Sequence, residues 1–273
     1  MKQRTVELLA LAEEYCNELS RHPVLSEYWS ELSLVIKGSV ARDNPDRYSD
    51  IDLVFFCAEK PYREIIEMYY KHGLTHRDDG VFLPLGNWVG HYNLETLDKL
   101  TSYFKRPDYP QVWEYQNVVV LHDPQDRYQK LVSSLSSDLL ADPLPAIKRE
   151  YLDIQLTLDW LRHPLKRGDS VSAALHCAKL LQSLCRICYL LDGKCYPHDK
   201  WLFSYIGTTR FGKSNKSSIR KYVAQIANSV PRHLELDGYP QYVEGAALVE
   251  RVGAFIGKYY GKLPWIAEWY LHV

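Results

Sequence analysis

Apolar residues recur at helical spacing from residue 5 to 20 (Val6, Leu9, Ala10, Ala12, Tyr15, Cys16, Leu19), and Arg21-His22-Pro23 ends the run. Leu32-Ser33-Leu34-Val35-Ile36 reads as a strand and Asp50 to Phe56 as a second, with the turn-rich stretch Ala41 to Ser49 between them. Pro61 opens a helix that runs to about Lys71. Beyond Asp78-Asp79-Gly80, the extended segments Val81 to Leu85 and Trp88 to Leu94 are predicted as a hairpin turning at Gly86-Asn87. A helix from Leu94 to Phe104 and an extended run from Asn117 to Leu121 complete the first half. From Pro145 the pattern changes to long helical stretches over 146–162, 171–191, 217–229 and 241–260. The expected fold class is therefore α+β: a mixed sheet with flanking helices over residues 1–142, then an all-α bundle over 143–273, the boundary lying near Asp142-Pro143-Leu144-Pro145. No internal repeat or low-complexity tract is visible.

Composition narrows the function classes. The chain has 273 residues, 46% hydrophobic and 25% charged, enough for one large or two modest cores and unlike disordered, collagenous or coiled-coil sequences. With 33 Lys+Arg against 34 Asp+Glu the net charge is −1, which asks for no polyanionic partner. The total hides an asymmetry: residues 1–140 carry 15 Lys/Arg and 22 Asp/Glu, net −7, whereas 141–273 carry 18 and 12, net +6. Such halves suit a metal-bound phosphate compound held between them, or reflect ordinary variation among solvated faces. No stretch approaches the roughly 20 apolar residues of a membrane span, and the acidic pair Glu13-Glu14 stands where a signal core would be apolar. A cytoplasmic protein is expected. The six cysteines have no secreted-domain spacing; Cys185-Arg186-Ile187-Cys188 lies at helical spacing with Leu181, Leu184 and Tyr189, so core packing is expected there instead of zinc.

The chemistry is concentrated between the first two strands. The strand 32–36 runs into Lys37-Gly38-Ser39, and after ten residues the next opens as Asp50-Ile51-Asp52-Leu53. Side chains alternate along a strand, so Asp50 and Asp52 share a face, where two carboxylates repel unless a cation holds them. Mg²⁺ does so and keeps positions open for substrate phosphates. Gly38 allows close backbone approach, and the Ser39 hydroxyl, Arg42 and Ser49 are expected to hold a triphosphate tail.

Strand, Gly-Ser, about ten residues, then Asp-hydrophobic-Asp resembles the nucleotidyltransferase superfamily that shares its catalytic fold with DNA polymerase beta; Gly38, Ser39, Asp50 and Asp52 carry the match. Within it the chain is similar to the small aminoglycoside- and lincosamide-type enzymes, which append a helical domain to a minimal catalytic domain, and the stretch from Leu191 to Leu202 looks like one they carry between helices of that domain. The resemblance implies transfer of a nucleoside monophosphate from a nucleoside triphosphate, ATP first, to a hydroxyl of a small molecule such as an aminoglycoside or lincosamide antibiotic, with release of pyrophosphate. It implies two Mg²⁺ ions held by Asp50 and Asp52. An RNA acceptor, as for toxin-type members, and a nucleotide-binding relic without catalysis are the alternatives. The oligomeric state stays open.

The sequence departs from that family in one respect. A third carboxylate is expected from a later strand, but Trp88 to Leu94 contains none; Glu95 is the nearest candidate, with His91 as a substitute ligand or base. Lys179 and Lys200 are candidate phosphate contacts from the second half, and Glu150 and Asp153 candidate bases by location. The basic run Arg210 to Lys221 has few interleaved aromatics and reads as a solvated loop.

Overall fold

The computed structural model describes residues 1–77, 82–85, 89–231 and 234–273. The chain divides into two compact units, Met1–Leu139 and Leu140–Val273. The first unit is a mixed five-stranded sheet with helices: β1 Ser33–Lys37, β2 Ile51–Cys57, β3 Phe82–Pro84, β4 Gly90–Thr96 and β5 Val119–His122, in the order β3-β4-β2-β1-β5. β2 and β4 run parallel, and every other neighbouring pair is antiparallel.

Alternation gives each strand two faces with different tasks. Leu34 and Ile36 of β1, Leu53 and Phe55 of β2, and Tyr92 and Leu94 of β4 form one buried layer. That layer takes up Leu8, Ala12 and Tyr15 of α1 (Gln3–Leu19) together with Ile65, Ile66 and Tyr69 of a second helix, Glu59–Lys71. Burial of each such Leu, Ile or Phe contributes about 1.5–3 kcal/mol, so this face anchors the sheet. The opposite face carries Asp52 at its open end and Phe56 at its closed end, the latter ring meeting Tyr115 and Tyr128 at centroid distances of 5.3 Å.

β1, β2 and β3 lie within one residue of their predicted positions, whereas β5 starts two residues after its predicted start and β4 runs two residues past its predicted end. Leu94, Glu95 and Thr96 belong to β4, and the next helix, Leu97–Lys105, starts only after Thr96, whose side-chain oxygen accepts the Lys99 amide. Among the described residues of this unit, two helices longer than one turn were not predicted, Tyr109–Gln116 and Arg127–Leu139. The first has visible start signals, Asp108 accepting the Gln111 amide and Pro110 in its first turn. The expected turn at Gly86-Asn87 lies outside the described residues.

The second unit is all helical, built on Leu144–Arg167, Ser170–Leu190, Arg210–Ile226 and Pro240–Tyr260. Small residues let these helices approach closely: a Cβ on Gly245 would stand 3.1 Å from Leu180 and 3.3 Å from Tyr222. The first of them continues through Pro164, past the predicted end at residue 162. The basic run starting at Arg210 is helical, not a loop. Thr209 caps it, and Phe211, Ile219 and Tyr222 bury its inner side. Cys177, Cys185 and Cys188 are core residues with free thiols, and burial pushes the Cys185 thiol up to about 12, far from the thiolate that zinc requires. Among the described residues no helix is long and apolar enough to cross a membrane.

Candidate active site

The site starts at the end of β1, where the chain must turn sharply beside β2. Gly38 makes the turn with φ +76°, in the left-handed region that disfavours side chains. A Cβ there would also stand 2.3 Å from an Asp52 carboxylate oxygen, so glycine is required twice over. A one-turn helix, Gly38–Ala41, follows and carries Ser39, whose carbonyl accepts the Asn44 amide at 3.0 Å.

The turn is held from beneath by a residue that sequence reasoning missed. Glu114, on the unpredicted helix Tyr109–Gln116, accepts the Gly38 N–H at 2.7 Å and an Arg42 Nη1 hydrogen bond at 2.9 Å on the same oxygen. Arg42 and Glu114 are both buried, their side chains 5% and 9% exposed, and the Arg42 guanidinium lies 4.9 Å from the Trp113 ring centroid. Arg42 therefore spends its charge inside the domain, where it fixes the Gly-Ser turn instead of projecting from it. Ser49 is similarly engaged. Its hydroxyl accepts the Asp46 amide at 2.9 Å and donates to the Asp46 carboxylate at 3.1 Å, closing the loop that leads into β2.

Asp50 and Asp52 converge as their spacing predicts, and the third member of the cluster comes from β4. The parallel register sets His91 directly beside Asp52. His91 Nε2 lies 3.0 Å from Asp52 Oδ1, and its Nδ1 lies 3.7 Å from Asp50 Oδ2. One ligand atom from each of the three residues falls within 4.8 Å of the other two. Gly90 makes this closeness possible, because a Cβ there would strike the Ile51 carbonyl oxygen at 2.2 Å. A glycine inside a strand pattern signals such close backbone approach, so this residue was detectable in the sequence.

Glu95 is not part of the cluster. It pairs across from Phe56, four positions along the strands from the Asp52–His91 pair and about 13 Å away at the usual rise per residue. There it binds Lys99 at 2.7 Å. Lys37 completes a cross-strand row, Lys37–Asp52–His91, with its Nζ 6.0 Å from the Tyr115 ring centroid. Lys179, Lys200 and Glu150 belong to the second unit. Lys179 is ion-paired with Asp153 at 3.1 Å, and Lys200 lies beside the Trp201 ring. Glu150 is buried, and loss of water holds its carboxyl above the ordinary carboxylate range.

The donors fit a divalent ion. Ligand atoms around one ion with bonds of about 2.1 Å stand roughly 3 to 4.2 Å apart, a spacing that Asp50, Asp52 and His91 can meet with small side-chain adjustments. The cradle left by the missing Gly38 side chain gives the Asp52 carboxylate room to do so.

Residues 23–108, which contain the turn, the aspartate pair and His91, match the family model described as a nucleotidyltransferase domain. Among solved structures the chain is similar to a nucleotidyltransferase-like protein from Exiguobacterium sibiricum 255-15, with 14% sequence identity, a TM-score of 0.51, and coverage of 90% of this chain and 78% of that one. At that identity the likeness concerns the fold. A search of the curated proteins finds no match. With the family match covering the very segment that builds the Gly38 turn and the Asp50–Asp52 pair, the chain carries a nucleotidyltransferase domain.

Proposed function

We propose that the protein transfers a nucleoside monophosphate from a nucleoside triphosphate to a hydroxyl of a small molecule and releases pyrophosphate. The observation that carries the reading is the convergence of Asp50, Asp52 and His91 beside a Gly38 turn too tight for any other residue. In the reaction the acceptor oxygen bonds to the α-phosphorus, the bond to the bridging oxygen breaks, and the hydroxyl proton passes to a base. Asp50 and Asp52 would hold the divalent ions, whose positive charge neutralises the triphosphate and the departing pyrophosphate. The chain's own contribution is positioning. Glu114 and Arg42 lock the turn, Ser39 follows it directly, and Ser49 stands just before Asp50, the two serines being the candidates for holding the triphosphate tail.

A hydroxylated small molecule of the aminoglycoside or lincosamide kind is the acceptor that the appended helical unit suggests. An RNA acceptor is favoured less. Of the basic helix Arg210–Ile226, Arg210 already pairs with Asp192 and Lys221 with Glu244, which removes two cations from a phosphate-binding stripe. The reading is tested by incubating the protein with each of the four nucleoside triphosphates and a panel of aminoglycosides, lincosamides and RNA, followed by mass spectrometry. It expects one acceptor class to gain a nucleoside monophosphate, and Asp52→Asn to lower that rate roughly a hundredfold or more. Absence of pyrophosphate release with every acceptor would leave a nucleotide-binding domain without transfer.

A further inference from the structure

We infer that His91 is itself a metal ligand, and that the site therefore selects manganese(II) or a similar borderline divalent ion over Mg²⁺; this rests on the proposed metal-dependent transfer. Two adjacent parallel strands bring Asp52 and His91 side by side, and Asp50 lies two residues ahead of Asp52 on the same side of β2. The close approach at Gly90 fixes the start of β4, so the imidazole is held at this point by the sheet and not by a mobile loop. Both ring nitrogens face carboxylate oxygens, at 3.0 Å from Asp52 and 3.7 Å from Asp50, which puts a nitrogen donor within the span of one coordination sphere.

Donor chemistry then decides the ion. Mg²⁺ demands oxygen ligands and gives up its water reluctantly, whereas imidazole nitrogen is a good donor to first-row transition metals. A site with two carboxylates and one imidazole also carries one negative charge fewer than one with three carboxylates, which weakens the hard, purely electrostatic hold on Mg²⁺. The only described carboxylate farther along β4, Glu95, is too distant to restore that charge and is bound to Lys99. His91 accordingly supplies the third donor, and the metal preference shifts with it.

The test uses the full chain, free of any histidine tag, and manganese(II) alone as probe. Continuous-wave electron paramagnetic resonance counts bound ion, pulsed measurements detect nitrogen coupled to it, and competition with Mg²⁺ gives the preference. The wild type is expected to bind manganese about tenfold or more tightly than Mg²⁺, with coupling from one imidazole. His91→Gln should lose the coupling and most of the preference, whereas His91→Asp should keep manganese binding, lose the coupling and bring Mg²⁺ within a few fold. Circular dichroism confirms that each variant is folded. Manganese that binds through Asp50 and Asp52 without nitrogen coupling would overturn the inference while leaving the proposed function standing. Binding that is absent, or indifferent to Asp50→Asn and Asp52→Asn, would overturn both.

Discussion

The Gly38 turn is held by one carboxylate that accepts two hydrogen bonds. Glu114 takes the Gly38 amide and the Arg42 guanidinium on the same oxygen, out of water, so deleting it removes the carboxylate beside a buried positive charge and the acceptor of a buried N–H at once. Glu114→Ala is therefore expected to cost about 3–5 kcal/mol, read as a shift in urea midpoint. Part of that should return in the Arg42→Met/Glu114→Ala double variant, which also removes the buried cation; a single-variant loss below about 1 kcal/mol would deny the pair this role. The aspartates of the site were legible in the sequence because type and spacing are local: two carboxylates two residues apart need only a strand to share a face. Glu114 was not, because it meets Gly38 from 76 residues away. Arg42 looked like a phosphate contact for the same reason, its partner being invisible until the chain folds.

At the level of elements, register is what turns residues into a site. His91 stands beside Asp52 only because β4 pairs with β2 in parallel with this alignment, and Gly90 admits that alignment. Gly90→Ala drives a methyl into the Ile51 carbonyl, and about 1–3 kcal/mol of destabilisation together with weaker metal binding is expected from thermal melts and metal titration. Strands were readable from apolar runs, whereas the helix Arg210–Ile226 was partly mistaken for a loop: Gly212, Ser214, Asn215, Ser217 and Ser218 are poor helix formers, and burial of Phe211, Ile219 and Tyr222 outweighs them. The helix Leu144–Arg167 carries a pH signature of its own. Glu150 is buried near Ser183, Arg186, Arg149 and Asp153, with desolvation the largest influence, and it binds its proton more tightly folded than unfolded. Its contribution to stability must then fall as pH rises from the ordinary value of 4.5 through the raised folded value, and stay low above it. Glu150→Gln should flatten that part of the stability profile in denaturant titrations across pH; an unchanged slope would mean that the carboxyl ionises as freely folded as unfolded.

For the molecule as a whole, the division into a sheet unit and a helical unit was legible as a change of hydrophobic period, from short extended runs to long helical ones, and the structure separates them between Leu139 and Leu140. The acceptor was not legible, because specificity resides in the shape of a site and not in the motif that runs its chemistry. Net charge offers one handle. At −1 overall, with the Arg210–Ile226 cations partly paired, acceptor binding should weaken only slightly between low and moderate salt; a steep decline, of the kind that follows release of several counterions, would point to RNA instead. If Asp50 and Asp52 make this domain a metal-dependent nucleotide site, calorimetric titration will show it. ATP, GTP, CTP and UTP are titrated with and without a divalent ion into the wild type and the Asp50→Asn/Asp52→Asn variant. At least one triphosphate should bind the wild type only when metal is present, and that binding should vanish in the variant. Folded wild-type protein that binds none of the four, or a variant that binds as well as the wild type, would contradict it.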